Sequence, residues 1–146
     1  MVLETLIKLF KRDLNKLKAE IELYSNEKNL WIVDKNISNT AGNLCLHLVG
    51  NLNAFIGAVL GNSGYIRQRD LEFSLKNVPR VELVRSVDDT LVMVEKTLLK
   101  LTENDLNKEF PLQVFKEPMT TEFFLVHLTT HLAYHLGQIN YHRRLL

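Results

Sequence analysis

Cysteine occurs once in these 146 residues, at Cys45, and proline only three times. A single thiol excludes an internal disulfide and a cysteine-built structural zinc shell, and it fits a reducing compartment. Three prolines and six glycines leave room for long uninterrupted elements. An excess of one charge is also lacking. With 18 Lys and Arg against 17 Asp and Glu, the formal net charge is +1, which gives no reason to expect nucleic acid or an anionic membrane. The opening Met-Val-Leu-Glu-Thr carries an acid where an export signal would carry basic residues. The most apolar stretch, Leu44 to Leu60, is interrupted by His47, Gly50, Asn51, Asn53 and Gly57, which argues against a membrane span. These absences lead to the expectation of a cytoplasmic protein with one domain, residues 1–146, long enough to bury a core.

What is present is helical periodicity. Leu3, Ile7, Phe10, Leu14, Leu17, Ile21 and Tyr24 follow steps of four and three, an apolar seam on a first long helix. Its other face carries Glu4/Lys8, Lys16/Glu20 and Lys18/Glu22 at the spacing of ion pairs along a helix. Ser38-Asn39-Thr40 offers caps for a second helix that runs to about Leu60 and stops at Gly61-Asn62-Ser63-Gly64. A third helix follows Pro79 with the seam Val84, Val87, Leu91, Val94, Leu98 and Leu101, and a fourth starts at Pro118 and Thr120/Thr121. Only Leu112 to Phe115 hints at strand alternation. The fold class is therefore all-α, and four such helices suit a four-helix bundle, where facing side chains commonly build metal sites. The connection from Gly61 to Val78 is long enough to cross the bundle, so helices two and three could run parallel.

Four of the five histidines fall in the last twenty residues. At about 100° per residue, His127, His131, His135, Gln138 and His142 project within a sector of about 80° of one helix. Phe123, Phe124, Leu125, Val126, Leu128, Leu132 and Ile139 make that helix apolar nearly all round, which predicts burial. A buried imidazole nitrogen without a partner costs roughly 1–3 kcal/mol, and a bound cation satisfies several at once. The fifth histidine, His47, lies on the second helix beside Asn43, Gly50, Asn51, Ala54 and Ala58. That small, polar face is either a solvent face with an incidental histidine or a roomy cavity wall, and the His131/His135 face tips the balance to the wall. Two imidazoles one turn apart plus a third from a facing helix make a three-nitrogen site with a coordination position left for water or substrate, the design of a catalytic centre. Imidazoles do not select among Zn²⁺, Ni²⁺, Mn²⁺ and Fe²⁺. The glutamate of an HExxH protease is missing, and so are the Glu-x-x-His pairs of a carboxylate di-iron bundle. On the long connection, Tyr65, Arg67 and Arg69 are candidates to meet substrate, the arginines by pairing with a carboxylate. The competing reading of Arg67-Gln68-Arg69-Asp70 is a solvated loop with local ion pairs.

The pattern His131-Leu-Ala-Tyr-His135-Leu-Gly137-Gln138, with His47 in Leu44-Cys45-Leu46-His47-Leu48, resembles the DinB/YfiT-like superfamily of metalloenzymes over essentially the whole chain. The resemblance implies an up-down-down-up four-helix bundle, often a homodimer, with a divalent metal held by His47, His131 and His135. It also implies chemistry of the thiol-dependent S-transferase kind, on a small molecule, with bacillithiol, mycothiol or glutathione as the thiol. A metal-dependent hydrolase and a non-catalytic metal-binding dimer are the alternatives. His127 is an extra imidazole one turn before the expected pair. It either supports a ligand, bonds substrate, or competes with His135 as the partner of His131. Gln138 and Asn51 are expected to support a ligand or touch substrate.

Overall fold

Six α-helices follow one another along residues 1–146, all of which the computed structural model describes: α1 (Val2–Leu23), α2 (Ala41–Leu52), α3 (Arg69–Ser74), α4 (Arg80–Leu99), α5 (Glu103–Asn107) and α6 (Thr121–Leu145). There is no strand. The segment Leu112 to Phe115 is irregular, and the chain around it forms only an isolated antiparallel bridge between Glu109 and Thr120. Alternation over four residues needs a partner strand to mean anything, and none is nearby.

The first seam holds. Phe10, Leu14, Leu17, Ile21 and Tyr24 are buried and Leu6 joins them, while Leu3 and Ile7 are half-buried against the same core. On the outer face Glu4 and Lys8 pair at 2.8 Å, but the other two expected pairs do not form. Glu20 instead takes Arg143 at 2.6 Å and Asn140 at 2.7 Å on α6, and Lys18 takes Asp88 of α4 at 3.1 Å. A guanidinium and an amide together offer Glu20 two bonds where Lys16 offers one, so the contacts between helices win.

Thr40 caps α2 by accepting the Asn43 N–H at 3.0 Å. The helix then passes into a π-helical stretch, Asn53–Leu60, that the sequence did not announce, and it ends at Gly61 as expected. At the junction the Asn53 amide donates to the Val49 carbonyl at 2.8 Å and to the Thr90 hydroxyl at 2.9 Å. By length and composition alone Ala41–Leu60 is apolar enough to cross a membrane despite its polar interruptions. More than half of it is buried inside the protein, and Asn43 and His47 are bonded there, so it serves as a core element. In its first turn the indole of Trp31 lies against Gly42, where an added Cβ would stand 2.6 Å from a ring carbon. A rigid ring cannot give way, so only glycine lets the indole approach this closely.

On α4 the buried stripe is rotated from the expected seam. It runs through Leu83, Val87, Thr90, Val94, Thr97 and Leu98, while Val84 and Leu91 are half-buried and Leu101 lies past the helix end. Thr90 is admitted to the core because its hydroxyl donates to Ser86 O at 2.7 Å and accepts from Asn53. Helix α6 is capped by Thr120, which accepts the Phe123 N–H at 3.1 Å. It is not buried all round. Phe124, Leu125, Leu128, Leu132 and Ile139 are buried, but Phe123, Val126, Tyr134 and Tyr141 face outward, because α6 packs on α1, α2 and the short α5 and leaves those positions uncovered. Apolar side chains of α1, α2, α4 and α6 meet in one core cluster. The connection between α2 and α4 contains α3, which lies against α2.

Candidate metal centre

Helix α6 places His131 and His135 one turn apart, and α2 brings His47 up to both. The ring centroids stand 5.1 Å apart for His47 and His131, 5.3 Å for His47 and His135, and 4.6 Å for His131 and His135. One nitrogen from each ring lies within 4.8 Å of the others. The Nε2 atoms of His47 and His131 are 3.2 Å apart. A tetrahedral ion with metal–nitrogen bonds of about 2.0–2.1 Å has nitrogens about 3.3 Å apart, so this spacing fits a shared cation.

The far nitrogens set the tautomers. His47 Nδ1 lies 3.0 Å from Glu72 Oε1, and since an ionised carboxylate only accepts, the proton sits on Nδ1 and the Nε2 lone pair faces His131. Gln138 Oε1 accepts from His135 Nδ1 at 2.7 Å, which likewise puts the proton on Nδ1. His131 Nδ1 is buried with no partner. Burial is the main reason the His131 pKa falls to about 4, and the neighbouring His135 and His47 add to it. His47 is also lowered, with burial outweighing the opposing pull of Glu72. Both are therefore neutral at pH 7, the form that binds metal. No ligand from a fourth residue joins the trio, so a cation held here would keep open positions.

The other candidates fall around this centre. His127 is outside the trio: its ring meets Phe115 at 5.0 Å and stacks on Phe124 at 5.8 Å, and it stands 6.4 Å from the His131 ring. Asn51, one turn beyond His47, is buried with its amide oxygen unpaired. Arg67 reaches the site, but its guanidinium is engaged by Glu72 and lies over the Phe55 ring at 5.8 Å. Arg69 lies over Phe73, whose ring packs on His47 at 4.9 Å. Tyr65 is part-exposed, and burial together with Glu72 raises its pKa. His142 shares the stripe yet is structural. Its Nδ1 meets the Tyr24 hydroxyl at 2.6 Å and its Nε2 donates to the Ile32 carbonyl at 2.8 Å, so both nitrogens are spent.

Glu72 and Phe73 are the site residues that sequence reasoning missed. Both sit on the six-residue α3, too short for a periodic signal, and only the tertiary fold brings them to His47.

A family model described as a protein of unknown function, DUF1572, matches residues 2–146. No curated protein matches the chain.

Proposed function

The chain belongs to the DUF1572 family, and we propose that it is a divalent-metal-dependent enzyme of the DinB/YfiT-like kind, with His47, His131 and His135 as the ligands. The observation that carries this reading is the convergence of three imidazole nitrogens from two helices, two of them freed for coordination by the partners behind them. A bound cation would supply Lewis acidity that lowers the pKa of a thiol or water brought to it. The resemblance favours a low-molecular-weight thiol and S-transfer to a small electrophile. One feature of the site supports thiol chemistry over hydrolysis. The carboxylate nearest the ligands, Glu72, is bonded to Arg67 through both oxygens and is not free to serve as a general base. A cavity of about 390 Å³, lined in part by Leu44, Lys35, Asn39, Gln138 and Tyr141, includes none of the three histidines and meets the centre only through Gln138, the partner of His135, beside which it could hold a small organic ligand.

Elemental analysis after loading is expected to find one divalent ion per chain, and two ions, or none, would overturn the site. In a thermal-shift series with Zn²⁺, Ni²⁺, Mn²⁺ and Fe²⁺, the preferred ion at 100 times its Kd should raise Tm by roughly 8 °C. Glutathione or bacillithiol should raise it further only when metal is present. No effect of any thiol would remove the S-transferase reading while leaving the metal site.

The same resemblance supports an up-down-down-up arrangement of α1, α2, α4 and α6, and a homodimer that covers the outward apolar side chains of α6, among them Phe123, Val126 and Tyr134. Sedimentation at micromolar concentration should give twice the chain mass of 16.9 kDa, and a clean monomer would rule the dimer out.

A further inference from the structure

Glu72 is a buried carboxylate delivered to the centre by neither of the helices that carry the histidines. Oε1 takes the His47 Nδ1–H at 3.0 Å, while Arg67 donates to Oε2 from Nε at 2.9 Å and to Oε1 from Nη2 at 3.0 Å. Its backbone is fixed as well. The amide of Asn43, one turn before His47 on α2, donates to the carbonyls of Glu72 at 2.9 Å and Leu75 at 2.8 Å, which ties α3 to α2. The carboxylate fits because position 50, three residues after His47, is glycine: a Cβ there would lie 1.9 Å from Glu72 Oε2 and 2.6 Å from its carboxyl carbon. One face of α2 thus provides an anchor at Asn43, the ligand at His47 and an empty space at Gly50.

We infer that Glu72 is the positioning residue of the His47 ligand and that Gly50 is the clearance that admits it. The inference rests on the metal-site reading above. The carboxylate holds the proton on Nδ1, fixes the rotation of the ring and leaves the Nε2 lone pair directed at His131 and His135, and its charge strengthens the imidazole as a donor. Arg67 locks the carboxylate in turn, and its Nη2 also stands 3.4 Å from His47 Nδ1, so it acts on the ligand both through Glu72 and beside it. A glycine inside a helix costs stability relative to alanine, so Gly50→Ala favours α2 itself while displacing the far end of the Glu72 side chain.

The test compares wild type, Gly50→Ala, Glu72→Ala, Glu72→Gln and the Gly50→Ala/Glu72→Ala double variant in two measurements: Zn²⁺ affinity by competition with a chelator, and imidazole ¹⁵N spectra of the metal-free proteins at pH 8. Wild-type His47 should carry its proton on Nδ1. Gly50→Ala and Glu72→Ala should each lose that preference and weaken Zn²⁺ binding roughly 10- to 100-fold, the range for partners behind a metal ligand. Glu72→Gln should recover part of the loss, because its amide oxygen still accepts the Nδ1 proton. The double variant should bind no more weakly than Glu72→Ala, since the glycine acts only through the carboxylate. Multiplying losses, or an unchanged tautomer and affinity in Gly50→Ala, would overturn the inference. That variant keeps every charged partner, so it gives the answer even if Glu72→Ala does not fold. Should wild type bind no Zn²⁺ while the tautomers shift as stated, the metal reading fails and the control of His47 by Glu72 stands.

Discussion

His131→Ala is expected to weaken divalent-metal binding by on the order of 1000-fold or more, and His47→Ala and His135→Ala should do the same, because each removes one of three donors and breaks the chelate. The effect should exceed that of any substitution behind the ligands, where roughly 10- to 100-fold is usual. His127→Ala should change affinity by less than about tenfold on the same scale. Its ring packs with Phe115 and Phe124 and hydrogen-bonds none of the three ligands, so it supports the centre without a bond to any of them. The metal-free His131→Ala protein should fold, since the change also deletes a buried nitrogen that has no partner. Chelator competition and circular dichroism on the four variants decide the matter. Metal retained by His135→Ala and lost by His127→Ala would put the chelating pair one turn earlier on α6.

The parts of this protein that could be read from the sequence are those set by local spacing. The α1 seam and the pairing of His131 with His135 depend only on steps of three and four along one helix, and both hold. Errors begin where a neighbour decides. Apolar composition says that α6 can be buried but not which side has a partner, so Phe123 and Tyr134 face outward. A threonine reads as polar until Asn53 arrives to satisfy it, which is why the α4 stripe is rotated onto Thr90. The histidine stripe itself divides for the same reason. His142 has the spacing of a ligand, yet Tyr24 and the Ile32 carbonyl use up both nitrogens. Arg67 admits two readings in the sequence, a cation for substrate and a local ion pair, and the fold decides for the pair through Glu72, 5 residues away in the chain and itself invisible to any periodicity. Gly50 was legible as a small residue on the His47 face, but what fills its space comes from another helix.

Acid should destabilise the metal-free protein through His131 by an amount that the variant His131→Gln does not lose. The folded protein holds this imidazole at a pKa of about 4 against an ordinary 6.5, chiefly by burial. Between those values the unfolded chain takes up a proton that the folded chain refuses, so stability falls as pH drops from 6.5 toward 4 and is fully present above 6.5. At about 1.4 kcal/mol per pH unit the gap sets a limit of roughly 3 kcal/mol, and partial access to water brings the expected loss to about 2 kcal/mol. His47 is lowered in the same sense and adds to the slope in both proteins. Urea unfolding at pH 7 and pH 4.5 should therefore show the wild type losing about 2 kcal/mol more than His131→Gln. With metal bound the wild-type loss should be steeper still, because protonation must then also displace the ion. Equal losses in the two metal-free proteins would mean that His131 is protonated in the fold near its ordinary pKa, and with it would go the argument that burial keeps this imidazole neutral and ready to bind.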